Sequence, residues 1–286
     1  MPKDPERLAV LQRIDELERK GIFDVDVEED PPGETILPGT VDYKQSKIST
    51  KIRAKIAFSS ARKFLNKILK DGTLRIKDIK GIEHLDNLTT GAVITCNHFN
   101  AFDSFAMQVA YERSTCSKKR KLFRVIREGN YTSFPGFYGM LMRSCNTLPL
   151  SSNMATMKEF MDAVDYHLSK GHLVLVYPEQ SMWWNYRKPK PMKRGAFVFA
   201  AKSNVPVVPI FICQEDSKDI GEDGFPIQEM TIFVLPPIYP NSEVHPVIAS
   251  QELMERNYAA WKEVYESFYG KKLEYLCGDP FKKAQA

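Results

Sequence analysis

Near the start of the chain, apolar and charged positions recur with helical spacing. Pro5 to Lys20 reads as a short charged helix with Leu8, Leu11 and Ile14 on one side, and Gly21 supplies its end. From Asp24 to Gly39 the chain is acidic and carries Pro31, Pro32, Gly33 and Pro38, the composition of an extended linker or a strap over the surface. Ala54 to Lys70 is amphipathic. At 100° per residue, Ala54, Ala57, Phe58, Ala61, Phe64, Leu65, Ile68 and Leu69 share an arc of about 140°. Lys55, Arg62, Lys63, Lys67 and Lys70 occupy the opposite arc, with Ile56 as the exception. Such a helix can lie in a bilayer interface, apolar face down, or dock on its own domain with a solvated basic face.

After Gly81 the pattern becomes strand then helix, repeated. Ala92–Thr95, Leu122–Ile126, Leu173–Tyr177, Val205–Ile212 and Thr231–Leu235 read as strands. Ala101–Tyr111, Met154–Leu168, Gly195–Lys202 and Glu252–Phe268 read as helices, the second closed by Gly171. Alternation of this kind predicts an α/β layer fold, with a largely parallel or mixed central sheet flanked by helices.

Charge sharpens the picture. Residues 1–43 hold 12 acids and 5 bases, a net of −7, whereas residues 44–70 hold nine bases and no acid. The basic block calls for an anionic partner, such as lipid head groups. No stretch approaches the ~20 apolar residues that span a bilayer, and the first 20 residues lack a signal-peptide core. Five cysteines, an odd number with no Cys-x-x-Cys pair, point to a reducing cytosol rather than a disulfide framework. The expected location is therefore cytoplasmic, peripheral on the inner face of the membrane.

Candidate chemistry concentrates at Cys96-Asn97-His98-Phe99-Asn100-Ala101-Phe102-Asp103, between a strand and a helix. Strand exits of open α/β sheets gather catalytic groups. Folded back, the Asp103 carboxylate would take the proton on one His98 nitrogen and leave the other as a base. That suits deprotonating a hydroxyl as it attacks an acyl carbonyl. A helix-capping Asp near an unrelated His is the bland alternative. His84, His167, His172 and His245 show no metal-ligand spacing, and no Gly-x-Ser-x-Gly elbow or phosphate-binding Gly-rich loop is present. No metal is expected.

Four blocks in order resemble the glycerolipid acyltransferase family, the 1-acylglycerol-3-phosphate acyltransferase-like enzymes. Asn97-His98-x4-Asp103 resembles the first signature. Val176-Tyr177-Pro178-Glu179-Gln180-Ser181 resembles the Phe-Pro-Glu-Gly-Thr-Arg block, Lys193-Arg194-Gly195-Ala196 the basic-Gly step after it, and Val205-Pro206-Val207-Val208-Pro209-Ile210 the closing Val-Pro-x-x-Pro block. The resemblance spans about residues 80–240 and implies a glycerol-3-phosphate acyltransferase-like fold. It implies an O-acyltransferase that moves a fatty acyl group from a coenzyme A or acyl-carrier-protein thioester to a hydroxyl of a lysophospholipid or glycerol-phosphate acceptor. His98 would be the general base, Asp103 its orienting carboxylate, and no cofactor beyond the thioester cosubstrate is implied.

Asn97, Glu179, Gln180, Ser181, Lys193, Arg194 and Arg143 are the implied substrate-binding residues. Two departures bear on the acceptor. The Glu-Gly-Thr-Arg core is here Glu179-Gln180-Ser181-Met182, and Cys145–Ser152, where a Gly-x-x-Phe-x-x-Arg block would fall, holds none of those three residue types. Both losses remove groups that clamp a phosphate bidentately. Arg187, Lys188 and Lys190 offer other bases. A catalytically altered lipid-binding protein of the same fold is the alternative reading, and no nucleic-acid partner is expected. The expected division is an acidic helix and linker (1–43), a basic membrane-contact helix (44–74), the acyltransferase α/β domain (75–245) and a C-terminal helix and tail (246–286).

Overall fold

The computed structural model describes residues 2–28 and 33–281, so Pro31 and Pro32 of the expected linker lie outside the described residues. The first helix, α1, runs over Pro5–Lys20 as the sequence predicts. Asp4 accepts the Glu6 N–H at its start, and Gly21 ends it in the left-handed conformation that glycine tolerates best. Its buried face is Val10, Ile14 and Glu18, whereas Leu8 and Leu11 point outward. The expected apolar side is thus rotated, because the partner surface is a pair of tryptophans, Trp183 and Trp184, reached through Val10 and Ile14.

The basic helix, α2, spans Ile48–Lys70. Its expected lipid-facing arc packs instead on its own domain. Ala54, Ala57, Leu65 and Ile68 are buried there, and Phe58, Ala61, Phe64 and Leu69 pack against the same clusters. That apolar arc is not a bilayer surface.

Seven strands form one sheet: β1 (Arg75–Lys80), β2 (Ala92–Cys96), β3 (Leu122–Ile126), β4 (Thr147–Pro149), β5 (Leu173–Val176), β6 (Val207–Ile220) and β7 (Pro226–Val234). The order is β1-β7-β6-β2-β5-β3-β4. All neighbours pair in parallel except β6 and β7, which form an antiparallel ribbon, so the sheet is mixed. Side chains alternate between its faces. Ile94, Cys96, Leu175, Val208 and Ile210 join a core with α2 and with α4 (Asp103–Arg113), while α3 (Glu83–Asp86) adds Leu85 to it. Val93, Val174, Val207 and Phe211 join a second core, under α7 (Met154–Ser169), α8 (Gly195–Lys202) and α9 (Pro246–Tyr269). Two short helices, α5 (Glu128–Thr132) and α6 (Gly136–Ser144), lie between β3 and β4, and α6 packs on α2.

One core histidine carries a pH prediction. His167 of α7 donates from Nε2 to the Tyr43 carbonyl at 2.8 Å, while its Nδ1 is buried without a hydrogen-bond partner. A second proton would place a charge there, and burial lowers the group from 6.5 to about 4. The unfolded chain therefore binds that proton first. This contribution to stability is complete above the unfolded value and is lost as pH falls from about 6.5 to 4, by roughly 3 kcal/mol. Urea midpoints at pH 7 and pH 4.5 check this, and His167→Gln is expected to flatten the slope between them.

Candidate active site

The carboxyl ends of β2, β5 and β3 meet on one side of the sheet. After Cys96 the chain leaves β2, and Asn97 fixes the exit: its amide donates to the Ile212 carbonyl at 3.0 Å and accepts the Ile212 N–H at 2.8 Å. His98 follows in the turn. Asp103, the first residue of α4, folds back and is fully buried. Its Oδ2 lies 2.6 Å from His98 Nδ1 and also accepts the Phe99 N–H at 3.1 Å and the Asn100 N–H at 3.4 Å. Asn100 stiffens the loop, accepting the Phe102 N–H and donating to Asn185 Oδ1 at 2.9 Å each. An acidic partner on Nδ1 fixes the proton there, leaving Nε2 with a lone pair. Among the described residues no group bonds Nε2, and the His98 side chain is 25% exposed. An imidazole held this way can take a proton from something outside the protein.

A second layer supports the turn. Tyr177, just past β5, stacks on the His98 ring with centroids 4.3 Å apart. Glu179 is buried and accepts the His98 N–H at 3.0 Å and the Lys190 N–H at 2.8 Å. Lys190 is buried as well. Its ammonium lies 3.3 Å from Glu179, and it donates to the Ser181 carbonyl at 2.7 Å and the His98 carbonyl at 3.3 Å. Burial pulls this lysine down from its usual range, and Glu179 opposes that shift.

Residues 78–213 match the acyltransferase family model, a stretch that contains His98, Asp103, Tyr177, Glu179 and Lys190. Residues 78–213 thus form an acyltransferase-family segment. No curated protein sequence matches it. Among solved structures it is similar to the 1-acyl-sn-glycerophosphate (LPA) acyltransferase PlsC from Thermotoga maritima, with a TM-score of 0.54 and 16% identity over 81% of this chain and 87% of that one. That likeness concerns the fold.

In this acyltransferase several implied substrate-binding residues have other employment. Asn97 is consumed by β6. Glu179 is an internal clamp with both oxygens committed. Ser181 is buried and donates to the Phe23 carbonyl at 2.5 Å. Arg143, on α6, caps the Tyr131 and Phe134 carbonyls at 3.2 and 3.1 Å. Burial thus takes Asn97, Glu179 and Ser181 off the acceptor surface, whereas Arg143 is exposed with its guanidinium tied to those two carbonyls. Gln180 stays exposed, and Arg194 is exposed, its side chain making no hydrogen bond or ion pair among the described residues. Gln180 adopts φ 65°, in the left-handed region that glycine occupies at less cost.

The basic loop is neutralised from within. Arg187 pairs with Asp216, Lys188 with Glu18 and Lys193 with Asp24, each within 2.8 Å. The acidic segment supplies two of these partners and a third carboxylate, Asp26, which contacts Arg127 and accepts the Met182 N–H at 2.9 Å. The same segment packs Phe23 on Trp183, whose indole donates to the Val25 carbonyl. Trp183 and Trp184 are core residues beneath this strap.

Thiol nucleophiles are disfavoured by burial. It pushes Cys96 well above its ordinary range and Cys145 up to about 11. A cavity of about 470 Å3 lies between α2, α4 and β3, lined by Lys51, Arg62, Gln108 and Tyr111 among others; none of the dyad residues lines it. No His, Cys, Asp or Glu cluster among the described residues has metal-holding geometry.

Proposed function

We propose that this acyltransferase moves a fatty acyl group from a thioester directly to a hydroxyl of a lysolipid or glycerol-phosphate acceptor, with His98 as general base. The observation that carries the reading is the 2.6 Å contact of Asp103 on Nδ1 with Nε2 open. As the acceptor oxygen bonds to the thioester carbonyl carbon, its proton passes to Nε2. Asp103 stabilises the imidazolium that forms. When the carbon–sulfur bond breaks, the proton leaves on the departing thiol, and no acyl-enzyme forms. Coenzyme A or acyl carrier protein would bring the acyl group. Gln180, Arg143 and Arg194 are implied binding residues that are exposed, and Lys193 would join them on leaving Asp24.

Radiolabelled acyl transfer by the whole chain onto a panel of lysolipids and glycerol phosphate, with both donor types, tests this. A labelled ester on at least one acceptor is expected. Lysolipid binding without turnover on any of them would instead support the altered, lipid-binding alternative.

We further infer peripheral contact with an anionic membrane, through a face of α2 that the sequence pattern did not single out. No helix among the described residues is long and apolar enough to cross a membrane. Ile48, Ile52 and Ile56, four apart, form one stripe and are 75%, 55% and 58% exposed. Exposed Lys51, Lys55 and Lys63 flank them. Phe137 and Tyr138, also exposed, gather around Phe64 of the same helix. Three aliphatic side chains amid bases suit a bilayer interface rich in anionic lipid. Ile52→Glu with Ile56→Glu is expected to cut flotation with phosphatidylglycerol vesicles more than tenfold, at roughly 1.5–3 kcal/mol per buried side chain. Unchanged flotation would return the stripe to solvent.

A further inference from the structure

Two buried polar atoms beside the dyad lack completed hydrogen bonds. Asp103 spends Oδ2 on three donors, while its Oδ1 is buried without a partner. The Tyr177 hydroxyl is buried without one too, although its ring lies stacked on the imidazole at an interplanar angle of 25°. Buried polar groups are costly unless paired. Each of these atoms is what the other needs, since a phenol donates and a carboxylate oxygen accepts. They are also neighbours. Burial pushes the Tyr177 phenol well above its ordinary range, and the charge of the nearby Asp103 is the next largest cause. The phenol therefore keeps its proton and can only donate toward the carboxylate.

We propose that Tyr177 is a positioning residue for the dyad, its ring holding the plane of the His98 imidazole and its hydroxyl donating to Asp103 Oδ1. The proposal rests on the reading of His98 as the base. Being buried, the hydroxyl touches no substrate and acts through Asp103. A donor on Oδ1 draws negative charge away from the carboxylate, so it tempers the pull of Oδ2 on the Nδ1 proton and the stabilisation of the imidazolium. The other charged or titratable groups facing this assembly are Glu179 on the His98 N–H, Lys190 on the His98 carbonyl, the Cys96 thiol near Asp103 and Arg124 near Tyr177. All remain when the hydroxyl alone is removed.

Tyr177→Phe keeps the stacked ring and deletes the donor. The acid limb of its kcat/KM profile is expected to move up by about half a pH unit. In proton NMR, the low-field His98 Nδ1–H resonance is expected farther downfield than in wild type. An unmoved limb and an unmoved resonance would overturn the proposal. The NMR comparison needs no turnover, so it stands or falls apart from the assignment of His98 as base. Melting temperatures of wild type, Tyr177→Phe, Asp103→Asn and the double variant close a cycle. The hydroxyl's effect is expected to shrink in the Asp103→Asn background, and strictly additive melting temperatures would contradict a bond between the two side chains.

Discussion

Replacing His98 with alanine is expected to lower kcat about 10²–10⁴-fold, the range a positioned general base supplies, while the acceptor KM changes far less. The asymmetry follows from the geometry. His98 presents only Nε2 to the outside, and its backbone rather than its ring is tied to Glu179 and Lys190. The loop should therefore keep its shape without the ring. Asp103→Asn is expected to cost a similar factor for a different reason, because an amide can donate to Nδ1 and turn the proton to Nε2. It should also lower the melting temperature, since the carboxylate caps the Phe99 and Asn100 N–H groups. Initial rates over acceptor concentration for the three proteins check both statements. A His98→Ala enzyme with wild-type kcat would remove His98 from the chemistry.

Lys190→Met is expected to produce the largest loss of stability, about 3–5 kcal/mol. Lys190 and Glu179 are each about 1% exposed at the side chain, so removing the ammonium leaves a carboxylate in the interior without its counter-charge. The two carbonyls that Lys190 now satisfies, of His98 and Ser181, would also lose a donor. The melting temperature should fall by roughly 5–8 °C. Adding Glu179→Gln should restore most of the loss, because the orphaned charge then disappears. Urea unfolding of the single and double variants measures this, and a loss under about 1 kcal/mol in the single variant would mean that the pair is not sealed from water.

Much of the fold could be read from local pattern. The bounds of α1 are set by Asp4 and Gly21, and the interior strands are continuous apolar runs, as strands covered on both faces must be. Edges were harder. β1 is Arg-Ile-Lys-Asp-Ile-Lys and β4 has three residues, so neither gives an apolar run. The polar outer half of β6 is visible only through its pairing with β7. The helix α2 begins before Ala54 because its first turns face solvent and carry the isoleucine stripe, which breaks the amphipathic pattern.

The site divides in the same way. Asn-His-x4-Asp is local, so a turn can be reasoned from spacing alone. The Glu179–Lys190 clamp depends on a proline-flanked loop returning under the turn, and no spacing rule marks a lysine between Pro189 and Pro191 as buried. The neutralisation of the basic loop was encoded only as opposite charge in distant segments, with Asp24 far in sequence from Lys193. Long-range charge complementarity names no partners until the chain has folded.

Thiol release from an acyl thioester, followed with and without lysolipid for wild type and His98→Ala side by side, tests the central claim most directly. Release by the wild type is expected to require the acceptor, to match new ester mole for mole, and to be lost in the variant. Acceptor-dependent release of equal rate by the variant would contradict it.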